Sequence, residues 1–127
     1  MRARVEPVLR ARFFRTASGA IPVRDWLLSL PKEVRREIGA DIAGVQWQWP
    51  TGKPLVDGFG DGLYEVRTAH VGQQYRVLFY VESGTLVLLH ADTAKGTMVL
   101  VHGIHKKTQR TPTAAIALAR KRMKEGT

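Results

Sequence analysis

The chain has 127 residues, 44% of them apolar, which suits a single domain over residues 1–127 whose core needs neither disulfides nor a structural metal. It contains no cysteine, which excludes disulfide stapling and thiolate chemistry and fits a reducing compartment, with a cytoplasmic location as the expectation. Twenty Lys and Arg against eleven Asp and Glu give a formal charge of +9. No apolar run approaches the roughly 20 residues that a spanning helix requires, so no membrane association is expected.

The charge sits at the two ends. Residues 1–15 hold five Arg against one Glu, residues 16–101 eight bases against nine acids, and residues 102–127 seven bases against one acid. Basic ends around a neutral middle attract a polyanion, nucleic acid first, with an anionic membrane or an acidic protein behind it.

In chain order, Leu9–Thr16 alternates Leu9, Ala11 and Phe13 with Arg10, Arg12 and Phe14, which predicts an early strand with one face toward the core. Pro22 can open a short helix with Val23, Trp26, Leu27 and Leu30 inward, and Pro31 can occupy the first position of a second. In that second helix Val34, Ile38, Ile42, Val45 and Trp49 form a helical stripe that Pro50 ends. Residues 50–62, rich in Gly and Pro, read as a surface loop. Strands are predicted at Leu63–Thr68, Gln74–Val81, Leu86–Leu89 and Met98–Ile104, joined as consecutive hairpins into an antiparallel sheet. Thr111 can cap a last helix, with Pro112 in its first turn and Ile116, Ala119 and Met123 inward. Gly84–Lys95 and Gly96–Lys107 are identical at six of twelve aligned positions, the mark of a short tandem duplication that adds one strand.

The chemistry-bearing constellation is cationic: Arg67, Arg76, His102, His105, Lys106, Lys107 and Arg110, all in the strand-rich half. Cleavage of RNA by its own 2′-hydroxyl needs a base for that hydroxyl, positive charge for the phosphorane and an acid for the leaving 5′-oxygen. Arg67 and Arg76 suit phosphate clamps because a guanidinium stays charged and donates in parallel pairs, while lysine or histidine must move the protons. Each has a plainer use: Arg67 can pair with Glu65 or an acid on a neighbouring strand, and each histidine can satisfy a hydrogen bond within its strand. The four histidines, His70, His90, His102 and His105, lack helical pair spacing and a carboxylate cluster, so no metal or other cofactor is implied. There is no G-x-S-x-G, P-loop or dinucleotide fingerprint; the glycine-rich Gly58–Gly62 leads into a strand rather than a helix. Trp47, Trp49, Phe59 and Tyr80 could stack bases, but Trp49 lies on the helical stripe and reads as core.

Several motifs resemble the HigB-like toxins of the RelE/ParE superfamily, found in bacterial and phage type II toxin–antitoxin operons: Ile-Pro-Val-Arg-Asp-Trp-Leu (21–27), Gly-Leu-Tyr-Glu-Val-Arg (62–67), Tyr-Arg-Val-Leu-Phe (75–79), His-Gly-Ile-His-Lys-Lys-Thr-Gln-Arg-Thr-Pro (102–112) and Ile-Ala-Leu-Ala-Arg-Lys-Arg (116–122). The resemblance covers nearly the whole chain. It implies an α+β, RelE-like fold: a curved antiparallel sheet with two N-terminal helices and a C-terminal helix. It implies a metal-independent endoribonuclease that cuts mRNA on the ribosome, and an antitoxin partner, commonly a helix-turn-helix protein, held in a hetero-oligomer. Carried over by position, the site falls on Arg67, Arg76, Lys106, Lys107 and Gln109; by their own chemistry, rather than by the resemblance, His105, Arg110, Arg120, Lys121, Arg122 and Lys124 are expected to bind RNA. The duplicated strand departs from the family pattern and leaves the distance from Arg76 to Lys106 open. Two other activities stay open: gyrase inhibition of the ParE type, and a non-catalytic basic module that binds RNA or an acidic protein, including a toxin disabled by the duplication.

Overall fold

A computed structural model describes residues 7–83, 96–106 and 110–126. Its elements run β1 (Leu9–Phe13), α1 (Pro22–Leu28), α2 (Lys32–Gln48), β2 (Val56–Gly60), β3 (Leu63–His70), β4 (Gln73–Ser83), β5 (Gly96–Lys106) and α3 (Thr113–Gly126). The architecture is α+β and compatible with the RelE-like arrangement. The expected extra strand, Leu86–Leu89, lies outside the described residues.

The five strands form one sheet in the order β1-β5-β4-β3-β2. It is mixed rather than antiparallel, because β1 lies parallel to β5, Leu9 opposite Gly96. Short turns force reversal from β2 to β3 and from β3 to β4, but two helices separate β1 from the next strand, so no hairpin sets its direction. A second correction concerns the predicted loop. Val56–Gly60 is a strand, Val56 buried opposite Val66, with a register shift between Gly58 and Gly60. Its three glycine or aspartate positions hide the two-residue period that would announce it.

Strand β4 is buried continuously from Tyr75 to Tyr80 because both faces of the sheet are covered. Tyr75, Val77 and Phe79 meet the α1/α2 layer, where Val34, Ile38, Ile42 and Val45 form the stripe read from the sequence. Trp49 closes that layer, edge-on to Tyr64 with ring centres 5.0 Å apart. On the other face Leu78 and Tyr80 join Leu63, Val99 and Val101 beneath Ala119, with Ile116 and Met123 packed alongside.

The expected alternation in β1 holds only at Leu9. Ala11 and Phe13 are exposed, and the buried aromatic is Phe14, just past the strand, packed toward Ala119 on the α3 side. As an edge strand, β1 outruns the helical cover after its first residue. Thr111 also departs from its expected capping role. The first turn of α3 closes on the Pro112 carbonyl, which accepts from the Ala115 and Ile116 N–H groups, while the Thr111 hydroxyl donates to Glu65.

Gly103 of β5 supports the indole of Trp26, which lies so close that a Cβ at this position would collide with the ring. Trp26 is packed against the core, so α1 cannot move away freely. Gly103→Ala is expected to destabilise the domain by about 1–3 kcal/mol, the usual cost of overpacking, measurable as a lower urea midpoint with an unchanged slope.

Candidate functional site

Three side chains point from β3 and β4 into the sheet face that α3 only partly covers. Glu65 and Arg67 are alternate residues of β3, and Arg67 stands directly opposite Arg76 of β4. Glu65 and Arg76 are each 1% exposed, so this end of the sheet buries a full ion pair. A charge so far from water survives only with close partners. Glu65 accepts from Arg67 Nε at 3.0 Å, lies 3.6 Å from Arg76 Nε, and accepts from the Thr111 hydroxyl. Arg67 Nη2 also donates to Asp57 of β2 at 3.0 Å. Arg76 Nη1 donates to Gln74 Oε1 at 3.0 Å. Burial lowers the Arg76 guanidinium below its usual value, with Glu65 opposing the shift and Arg67 adding to it; arginine's intrinsic value is high enough that the group remains a cation.

Arg67 is 28% exposed and lines two cavities. One, of about 420 Å³, lies toward α3 and includes Asp57, Phe59, Arg110 and Ile116. The other, of about 390 Å³, lies toward Asp41, Leu55 and Gln74 and reaches Arg76. Lys106 stands opposite Gln74 and Ile104 opposite Arg76. By backbone register Lys106 is therefore diagonal to Arg76 on the adjacent strand, their Cα atoms roughly 7–8 Å apart. Lys107 and Gln109 lie outside the described residues.

The sheet divides the remaining cations. His105 is opposite Tyr75, whose side chain belongs to the α1/α2 face. The two rings stack with centres 4.5 Å apart, and His105 Nε2 is 2.7 Å from Gln73 Oε1. The structure thus sets His105 across the sheet from the Arg67–Arg76 pair. His102 is on the α3 side, where Arg122 Nη1 donates to its Nδ1 at 3.3 Å and to the Val101 carbonyl at 2.7 Å. Arg120 donates to the Phe59 carbonyl at 2.8 Å and to that of Gly60 at 3.3 Å, fastening α3 to the β2–β3 turn. Arg120 and Arg122 therefore hold the helix in place, while Lys121, Lys124 and Arg110 are exposed.

The pairing of Arg67 with Glu65, anticipated as the plainer use of that arginine, is present. The sequence pattern marks neither Asp57 nor Thr111 as a partner of these arginines, because Asp57 lies in an apparent loop and Thr111 reads as a helix cap. Glu65 could have been recognised by parity, since it occupies the same strand face as the fully buried Leu63. Among the described residues no three His, Asp or Glu gather in a way that could hold a metal. No helix among them is long and apolar enough to cross a membrane.

Glu65→Ala removes the carboxylate that Arg67 and Arg76 share, and is expected to destabilise the fold by about 3–5 kcal/mol, read from denaturant unfolding. His102 provides a pH test. Burial first, then the charge of Arg122, lower its pKa from the ordinary 6.5. The unfolded chain takes up this proton near pH 6.5, whereas the folded protein resists until lower pH. The stability linked to His102 is thus complete above pH 6.5 and is lost as pH falls from there through the lowered folded value. Melting temperatures compared at pH 7.5 and 5.5 should show a larger acid loss in the wild type than in His102→Gln.

The match to a known family falls on this same region. The model of the family described as phage-derived protein Gp49-like (DUF891) matches residues 25–124, from α1 into α3 and across the whole Arg67–Arg76 region. No curated protein matches the chain. That family is toxin-like, is associated with the RelE class of type II toxin–antitoxin systems, and implies a cognate antitoxin. With 100 of its 127 residues inside the match (25 through 124), the chain belongs to the phage-derived Gp49-like family.

Proposed function

We propose that the chain is the toxin of a type II toxin–antitoxin module, a metal-independent endoribonuclease of the HigB type that cuts mRNA on the ribosome. The observation that carries this reading is the register: Arg67 opposite Arg76, with Lys106 diagonal to Arg76 on the next strand. In the reaction the 2′-oxygen forms a bond to the adjacent phosphorus, the bond to the 5′-oxygen breaks, and a 2′,3′-cyclic phosphate remains. The hydroxyl proton must leave and the 5′-oxygen must gain one.

Arg67 is the phosphate contact. Its Nε and Nη2 are held by Glu65 and Asp57, and among the described residues its Nη1 makes no hydrogen bond, so a clamped guanidinium still presents donors. Arg76 lies beneath and acts through its field, since a cation in a water-poor site stabilises developing negative charge more strongly than one in solvent. Lys106 takes the proton-transfer role, with Lys107 and Gln109 completing the segment. Arg110, Lys121 and Lys124 draw the polyanion in. A helix-turn-helix antitoxin in a hetero-oligomer and a cytoplasmic location accompany this reading.

A second reading has its own observation. Asp57 and Glu65 supply as many negative charges as Arg67 and Arg76 supply positive ones, so the clamp is neutralised before substrate arrives. This favours a basic module that holds RNA or an acidic partner without cutting.

Induced expression separates the two. The ribonuclease arrests growth and shortens ribosome-bound transcripts, and Arg76→Ala combined with Lys106→Ala abolishes both effects. Lys106→Ala alone, with its melting temperature as a folding control, is expected to slow cleavage by about 10²–10³-fold. Tight, salt-sensitive RNA binding with intact transcripts would instead support the binding module.

A further inference from the structure

The cavity between β2, β3 and α3 has two chemically different sides. Phe59 and Ile116 provide an apolar wall, and Phe59 is packed on the α3-side core, which fixes its ring in place. The same lining sets an acceptor, Asp57, beside a donor, Arg67, with Arg110 as a second cation. At about 420 Å³ the space falls within the range of small-molecule sites. The glycine-rich stretch that led into no cofactor motif builds this rim. Asp57 and Phe59 are alternate residues of β2, and the irregularity between Gly58 and Gly60 lies beside them.

Asp57 is 29% exposed, and its contacts leave it accepting capacity. Oδ2 accepts from Arg67 Nη2 at 3.0 Å, Oδ1 accepts from the Gly58 N–H at 3.0 Å, and Lys53 Nζ stands 3.9 Å from Oδ1. Each carboxylate oxygen has two lone pairs, so both can accept again.

We propose that this cavity receives one unstacked nucleobase of RNA and selects guanine. A flat ring lies against the Phe59 wall, as bases splayed from single strands do on aromatic side chains. Its edge then meets a carboxylate with a guanidinium alongside. Guanine alone presents two adjacent donors, N1–H and the N2 amino group, to the two carboxylate oxygens, and its O6 next to them accepts from Arg67. Adenine N1, cytosine N3 and the uracil carbonyls each bring an acceptor toward the carboxylate, leaving like-signed dipoles facing each other with no proton between them. The inference rests on the ribonuclease reading for its substrate class, because the cavity shares Arg67 with that site.

The test titrates GMP, AMP, CMP and UMP separately into the full chain, using calorimetry for affinity and amide NMR shifts for location. GMP should bind at least roughly tenfold more tightly than the other three, the discrimination of one good bidentate base contact. Shifts should centre on Gly58, Phe59 and Thr113. Asp57→Asn should erase the preference, since an amide offers one acceptor and one donor, and Phe59→Ala should weaken all four nucleotides. Equal affinity for GMP and AMP in the wild type, or a preference that survives in a folded Asp57→Asn protein, overturns the proposal. Cleavage of ribosome-bound mRNA by a protein without GMP preference removes the base pocket and leaves the ribonuclease. GMP preference in a protein that cuts nothing does the reverse.

Discussion

Glu65 is a carboxylate in the middle of a sheet, shut off from water, and the site is arranged around its need for cations. Removal of its hydration shell is offset by a hydrogen bond from Arg67, the nearby Arg76 guanidinium and the Thr111 hydroxyl. Each partner comes from a different place: its own strand, the next strand and the residue that leads into α3. One side chain therefore fixes the spacing of two arginines and the docking of the last helix. The same carboxylate makes Arg76 tolerable at 1% exposure, where an isolated guanidinium would be prohibitive.

The position of the site follows from uneven cover. Helices α1 and α2 shield one sheet face across β3, β4 and β5, and among the described residues α3 is what covers the other. That helix begins above Glu65 and finishes near Tyr80 and Phe14, against which a side chain at Gly126 would press. Arg120 fastens it to the β2–β3 turn and Arg122 to β5. Among the described residues, one cavity beside Arg67 lies next to its N-terminal end, lined by Phe59, Arg110 and Ile116, while the other passes round the sheet to Asp41 of α2 and Leu55. Half the cations that could have been counted as RNA ligands on α3 instead set where the first of these cavities falls.

Much of the fold was legible because helical periodicity is a local signal. The Val34 to Val45 stripe and the inward positions of α1 and α3 appear where their spacing places them. Strand β2 was not legible, since Asp57 and two glycines carry no apolar alternation. The direction of β1 was not legible either, because its partner β5 lies far along the chain and no turn connects them. In the site, the residue types were visible and their partners were not. A cation in a strand reads as available until the acid beside it is placed, and Asp57 reaches Arg67 only through pairing of a strand that looked like a loop.

The basic ends, the apolar faces of the helices and the presence of arginines on consecutive strands can all be read along the chain, because each depends on nearest neighbours and fixed periods. Which cations share a face depends instead on how the strands pair. A strand turns successive side chains to opposite sides, so pairing register sent His105 to the helical layer with Tyr75, while the Lys106 backbone pairs with Gln74, diagonal to Arg76. Pairing also decided that Arg67 and Arg76 would be matched by Glu65 and Asp57, because compensation of charge depends on distance through space, which separation along the chain does not specify.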